Sequence, residues 1–210
     1  MISFGKFISI EGGEGVGKST QIAALAGAIQ QRGISVIITR EPGGTAGAEA
    51  IRQLLLTGVD GKWSARAEAL LFAAARSDHV ERLIRPAIAA GKWVISDRFL
   101  DSSRAYQGGG SGLSDEDILT LHRIGSAGFL PDRTFILELP EAQAAARAAK
   151  RDQGKSDRIG GRGTAFHAKV HESFVHYAKQ DPARVRIVDA SGEPEAVTGR
   201  LMAQLDDLLH

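Results

Sequence analysis

The sequence predicts an α/β fold: a five-stranded parallel sheet covered on both faces by helices. Three observations point there. Short apolar runs alternate with segments of helical periodicity along all 210 residues, the pattern of a parallel sheet with crossover helices. The first run, Phe4-Gly5-Lys6-Phe7-Ile8-Ser9-Ile10, is short and mostly apolar, as expected for a buried strand. The first run leads into Gly12-Gly13-Glu14-Gly15-Val16-Gly17-Lys18-Ser19, which fits G-x-x-x-x-G-K-[ST], and a helical pattern follows at once. Strand, glycine loop and helix are the context in which that motif carries meaning.

The elements follow in order. Phe4–Ile10 reads as the first strand. Ile22, Leu25, Ala26 and Ile29 then recur at helical spacing over 19–32, and Gly33 supplies a stop. Val36–Thr39 is a second strand, followed by a helix over 46–56. A long helical pattern covers 65–90, with Pro86 expected to kink or break it. Trp93–Ser96 is the third strand. Ser114 caps a helix over 114–124, with Asp115, Glu116 and Asp117 at its positive end. Thr134–Leu139 and Val185–Val188 complete the strands, and helices are expected over 141–151, 165–179 and 194–209. Gly108–Gly112 and Gly154–Gly163 read as loops. No repeat or inter-domain linker interrupts the chain, so a single domain over 1–210 is expected.

Composition excludes several classes. Net charge is +1, so no global field draws the chain to nucleic acid or to a membrane surface. There is no cysteine, hence no disulfide framework and no thiolate metal site. Lys6, Glu11 and the glycine loop come too early for a signal peptide, and no run approaches the ~20 apolar residues of a membrane span. A cytoplasmic protein is expected. Asparagine is also absent, so the Asn-Lys-x-Asp guanine-reading motif does not occur.

The glycine loop is the strongest chemical signal. Its backbone N–H groups can turn toward phosphate oxygens, aided by the positive end of the new helix. Gly12, Gly13, Glu14, Gly15, Val16, Gly17, Lys18, Ser19 and Thr20 form the expected nucleotide-binding set. Lys18 would reach the β- and γ-phosphates, and Ser19 would offer its hydroxyl to Mg2+. Trp93-Val94-Ile95-Ser96-Asp97-Arg98 is a strand ending in an acid and an arginine beside that loop. Asp97 suits Mg2+ or its waters, and Arg98 suits a bidentate grip on phosphate. Thr39-Arg40-Glu41-Pro42-Gly43-Gly44-Thr45 leaves the second strand at the same edge, with Glu41–Pro42 open to either isomer. Residues 147–162 hold Arg147, Lys150, Arg151, Lys155, Arg158 and Arg162 against Asp152 and Asp157, an excess of four positive charges that suits a lid over phosphates. Phe72 and Arg76 share a helix face; spacing alone makes Phe72 core and Arg76 surface. Asp157-Arg158-Ile159-Gly160 matches D-x-x-G without a preceding strand, and His167, His171 and His176 lack the order of a zinc site, so neither is given a role.

Taken together, Glu14 in the phosphate loop, Thr39–Thr45, Phe72 with Arg76, Asp97-Arg98-Phe99 and Ser103-Arg104-Ala105-Tyr106-Gln107-Gly108-Gly109 resemble the thymidylate kinase family of nucleoside monophosphate kinases. The resemblance implies a three-layer P-loop NTPase fold with a small mobile lid over about 150–163. It implies ATP and Mg2+, transfer of the γ-phosphoryl group to dTMP, and a homodimer to which the 65–83 helix could contribute. By the same resemblance Glu14 takes the deoxyribose 3′-OH, and Arg40 and Arg98 hold the acceptor phosphate. Phe72 stacks on thymine, Arg76 donates to its 4-carbonyl, and Ser103 and Gln107 approach the base. Tyr106 packs under the sugar, and Asp97 with Ser19 organises Mg2+. The phosphate loop has no arginine, so the lid is expected to supply one, Arg158 first and Arg151 or Arg162 next. Two departures stand out: Gly160 occupies the place of a family glutamate in Asp-Arg-x-Glu, and Phe99 replaces a Tyr or His. Another nucleotide or nucleoside kinase and a P-loop ATPase share the phosphate loop, and acceptor use separates them.

Overall fold

The computed structural model describes residues 5–59, 61–152 and 158–209. The strands are β1 (Phe7–Glu11), β2 (Val36–Arg40), β3 (Trp93–Asp97), β4 (Arg133–Glu138) and β5 (Val185–Asp189). They form one five-stranded sheet in the order β2-β3-β1-β4-β5, with every pairing parallel. The helices are α1 (Lys18–Gln30), α2 (Ala46–Leu56), α3 (Ala65–His79), α4 (Arg85–Ala89), α5 (Leu100–Ser103), α6 (Asp115–Ser126), α7 (Glu141–Asp152), α8 (Thr164–Gln180) and α9 (Pro194–Ala203).

β1 is central and wholly buried, which accounts for its mostly apolar reading. Its side chains alternate between the two layers. Ile8 and Ile10 join Leu25 and Ile29 of α1, Ile95, Phe135, and Val197 and Leu201 of α9. Phe7 faces the opposite layer with Val80, Ile84, Val94, Phe99 and Leu100. Phe7 and Phe99 meet edge to face at 4.8 Å. Pairing Ile10 with Asp97 and Thr39 with Ser96 brings the carboxyl ends of β1, β2 and β3 to one edge. Open parallel sheets bind ligands along that edge.

Three local expectations need correction, and the break expected at Pro86 takes a particular form. The first strand begins at Phe7, while Phe4 lies outside the described residues. The long third helix is divided: after α3 the chain widens into a π-helical turn, Val80–Ile84, in which Arg85 N–H donates to Val80 O, and α4 carries Pro86. Proline has no N–H with which to continue the ladder, and the slip precedes it by one turn. The segment from Gly108 to Gly110 is not an open loop but the end of a second π-helical turn, Arg104–Gly110. Its glycines answer a packing demand: a Cβ on Gly109 would stand 1.8 Å from Ser173 Oγ, and one on Gly110 would stand 2.5 Å from the Phe166 ring, both on α8. The last helix stops at Ala203, with a short 3-10 turn at Asp206–Leu208.

His122 of α6 is buried, holds Phe129 O through Nε2 at 2.8 Å and meets the Phe99 ring edge-on at 5.8 Å. Burial, then the Arg76 charge, pulls it down to about 4. The folded imidazole therefore stays neutral where the unfolded one takes a proton. Between pH 6.5 and 4 the unfolded state binds more protons, and stability falls as pH falls. This group can cost up to about 3 kcal/mol at the acid end of that window. His122→Gln should flatten the difference: thermal midpoints measured from pH 7 to 4 should fall less in the variant than in the wild type. Parallel curves would remove His122 from the acid response.

Candidate active site

The phosphate loop joins β1 to α1. Gly12 (φ 131°) and Gly17 (φ 93°) take left-handed-side conformations there, and Gly17 caps α1. A Cβ on Gly12 would stand 2.6 Å from Leu137 O. Lys18 Nζ folds back over the loop to Gly12 O at 3.2 Å and Gly13 O at 2.6 Å. Burial, then Arg98, lowers its ammonium to about 7, while Asp97, Glu11 and Glu14 resist. Burial thus outweighs the three acidic neighbours, and further negative charge at the loop would favour the ammonium. Ser19 and Thr20 are exposed on the first turn of α1.

The turn after β3 is fixed from below. Glu11 is fully buried at the end of β1 and accepts from Phe99 N–H at 2.7 Å, Ser102 Oγ at 2.5 Å and Ser9 Oγ at 2.6 Å. Burial, then Asp101, raises it to about 7. Arg98 has φ 71°, an uncommon conformation for a residue with a Cβ. Its N–H donates to Ile10 O at 3.0 Å, and Ser96 Oγ donates to its carbonyl at 2.8 Å. The guanidinium lies 4.9 Å over the Tyr106 ring and donates to Ser102 Oγ at 3.0 Å. Asp97 Oδ1 is buried and has no hydrogen-bond partner among the described residues.

A cavity opens beside this turn. Glu14, Arg98, Tyr106, Phe72, Arg76, Ser103 and Gln107 all line it. Arg76 is only 3% exposed, which overturns the spacing-based expectation of a surface arginine. Tertiary partners account for its burial: Glu41 Oε2 at 2.7 Å, Ser103 Oγ at 2.8 Å and Phe99 O at 3.1 Å. His79 holds the other oxygen of Glu41 at 3.1 Å and Thr39 Oγ1 at 2.7 Å. Glu41 precedes Pro42 through a cis peptide bond. Phe72 is partly buried against the α8 core.

Not every expected residue meets the cavity. Arg40 is exposed and paired with Glu49 at 2.9 Å, and it does not line the cavity. Arg52 does, with Nη1 donating to Pro42 O at 2.7 Å. Neither Arg52 nor Glu41 was singled out by sequence reasoning; Arg52 and Leu56, four apart on α2 and both lining the cavity, carried the available signal. Arg158 is buried, with its guanidinium on Glu68 Oε2 at 2.5 Å and Leu55 O at 2.7 Å. Arg162 reaches the same Glu68 oxygen at 2.8 Å. Arg147 Nη1 lies 3.9 Å from where a Cβ on Gly17 would stand. Gly154, Lys155 and Asp157 lie outside the described residues, and the Arg151 side chain is not described. Among the described residues no cluster of three histidine or acidic side chains could hold a metal ion. His171 pairs with Glu138 at 3.3 Å, and His176 with Gln180 at 2.9 Å.

A second cavity lies on the β4 side of the phosphate loop, along Gly12, Gly13, Leu137 and α8. The two cavities share Glu14, Tyr106 and Gly160, so these residues form the wall between them. A Cβ on Gly160 would stand 2.1 Å from Glu14 Oε1. The Glu14 carboxylate fills the space that a side chain at 160 would need, which accounts for the glycine.

A parallel sheet with a phosphate loop at its carboxyl edge, an acid–arginine turn beside it and a second cavity within reach defines a P-loop kinase. A sequence profile of thymidylate kinases matches residues 10–200. A thymidylate kinase of Rhizorhabdus wittichii is 62% identical over 205 residues, covering 98% of this chain and 99% of that one. One of Bradyrhizobium diazoefficiens is 44% identical, covering 98% of this chain and 90% of that one. The crystal structure of thymidylate kinase from Ehrlichia chaffeensis superposes with a TM-score of 0.79 at 30% identity, covering 97% of this chain and 100% of that one. The chain belongs to the thymidylate kinase family.

Gly160→Ala should displace the Glu14 carboxylate. The KM for dTMP is expected to rise roughly tenfold, about 1.4 kcal/mol, with a smaller change for ATP. Steady-state kinetics with each substrate varied in turn checks this; an unchanged dTMP KM would separate Glu14 from the acceptor.

Proposed function

We propose that the protein transfers the γ-phosphoryl group of ATP to dTMP, giving dTDP and ADP, within one kinase domain over 1–210. The observation that carries the reading is the cavity beside the phosphate loop and the residues that line it. It offers a guanidinium, Arg98, near that loop, and an aromatic ring with a second guanidinium, Phe72 and Arg76, for a base. Family membership supplies the substrate pair.

Phosphoryl transfer needs positioning and positive charge more than covalent chemistry. The glycine loop, from Gly12 to Thr20, would hold the ATP phosphates, with Lys18 neutralising the β- and γ-oxygens. Arg98 would grip the acceptor phosphate, joined by Arg52 from inside the cavity; Arg40 would join only by leaving Glu49. Glu14 would orient the sugar through its 3′-OH, with Tyr106 beneath the ring. Phe72 would stack on thymine while Arg76, Ser103 and Gln107 read its edge. Asp97 Oδ1, buried and lacking a partner among the described residues, fits a role in holding Mg2+ or its waters with Ser19. The ion would neutralise charge on the β- and γ-phosphate oxygens. Arg158, held by Glu68, would serve catalysis by exchanging that carboxylate for phosphoryl oxygens. Arg147, beside Gly17, is a described cation already near the loop.

Purified protein with ATP and Mg2+ should phosphorylate dTMP in preference to UMP, CMP, AMP and thymidine. Lys18→Ala should keep the fold and lower turnover by at least about 10²-fold. Equal rates with all acceptors, or ATP hydrolysis indifferent to dTMP, would overturn the reading.

We also propose a homodimer in the cytoplasm. α3 and α6 pack together, and they leave Leu70 (56%), Leu119 (37%) and Ile124 (78%) exposed. Such side chains suit a second copy. No described helix is long and apolar enough to cross a membrane. Ile124→Glu combined with Leu70→Glu should convert a dimer to a monomer by sedimentation; a wild-type monomer would overturn the assembly.

A further inference from the structure

Glu68 belongs to no motif, yet it stands at a junction. It lies in the first turn of α3 and is only 1% exposed. A carboxylate this buried needs several partners. Oε2 accepts from Arg158 at 2.5 Å and Arg162 at 2.8 Å. Oε1 accepts from Gln107 Nε2 at 3.0 Å. Glu68, Phe72 and Arg76 are spaced four apart, so they share one face of α3. Gln107 lines the same cavity as Phe72 and Arg76.

The division of labour between the two oxygens has a chemical consequence. A carboxylate only accepts, whereas a glutamine amide has one donating and one accepting end. With two guanidinium groups on Oε2, Oε1 is left to take the Gln107 NH2 group. The amide is then oriented, and its carbonyl oxygen is the end left for the cavity. A carbonyl there accepts the ring N–H of a pyrimidine-dione such as thymine. It meets the lone pair of cytosine N3 with a lone pair of its own.

We propose that Glu68 is a positioning residue that sets base specificity by fixing the direction of the Gln107 amide. This rests on the acceptor reading of the cavity. Buried polar groups that match one base and leave another unsatisfied discriminate far more strongly than shape does. Arg158 and Arg162 both hold the carboxylate before transfer; when Arg158 turns to the phosphoryl group, Arg162 keeps Oε2 occupied, so Oε1 stays with Gln107. Sequence reasoning had a signal available in the Glu68-Phe72-Arg76 spacing but no reason to give the first member a role.

The test is the ratio of kcat/KM for dTMP to that for dCMP. Glu68→Gln can donate to the Gln107 carbonyl and so release the amide to turn. The ratio is expected to fall by at least roughly tenfold, with dTMP losing more than dCMP. A purely structural role would lower both substrates alike and leave the ratio unchanged. Gln107→Ala runs beside it. If Gln107→Ala leaves the ratio intact, the acceptor reading of this cavity fails; if only Glu68→Gln leaves it intact, the positioning role fails. Should Glu68→Gln not fold, the wild type decides by nuclear magnetic resonance of the Gln107 side-chain amide. Its NH2 protons should stay protected from solvent exchange when dTMP is added, because Glu68 keeps them. Loss of that protection on binding would overturn the proposal.

Discussion

The carboxylate of Glu11 is the contact on which the site depends. It ends the strand that leads into the phosphate loop and accepts from Phe99 N–H and Ser102 Oγ of the turn that carries Arg98. Two loops that belong to different strands are thereby locked to one another. The turn they share is not relaxed: Arg98 holds φ 71° because Ile10 O, Ser96 Oγ and Glu11 over-determine it. A conformation that would cost energy in isolation persists because buried hydrogen bonds on all sides favour it, and the result is a guanidinium fixed beside the phosphate loop.

The charges in and around the cavity follow the same logic with opposite bookkeeping. Arg76 rests on Glu41, which His79 and Thr39 steady in turn, and Arg158 and Arg162 rest on Glu68. Each buried cation has an acidic partner, so the pocket is ordered before any substrate arrives. Lys18 is the contrast. Its nearest contacts are backbone carbonyls and its ammonium is pulled down to about 7, a state that anionic ligands would relieve. Charge is closely paired around Arg76 and Glu68, whereas burial outweighs the acidic neighbours of Lys18.

Glycine serves three separate ends in this molecule. In the phosphate loop it supplies backbone conformation, as at Gly17. At Gly109 and Gly110 it lets a π-helical turn press against Ser173 and Phe166 of α8. At Gly160 it makes room for the Glu14 carboxylate. Composition shows only that these segments are glycine-rich; the neighbour across the gap decides what each glycine is for.

The sequence by itself determined the α/β class, the five strands to within a few residues, the phosphate loop and the family, since these rest on local periodicity and on a motif whose spacing is its mechanism. It also marked Phe72, Arg76, Ser103, Tyr106 and Gln107 through the family's pattern, all of which line the cavity. Tertiary structure alone decided which charges face that cavity. Arg52 enters it and Arg40 turns to Glu49, and the Arg52–Leu56 spacing on α2 is too weak a local signal to choose between two arginines. It also decided that Arg76 is buried, that the Gly108–Gly110 segment is a helical turn, and that Glu68 gathers Arg158, Arg162 and Gln107. These partners lie 39 to 94 residues from Glu68 along the chain. A long charged side chain can turn toward many neighbours, and only packing chooses among them, because a buried charge must end beside its partner.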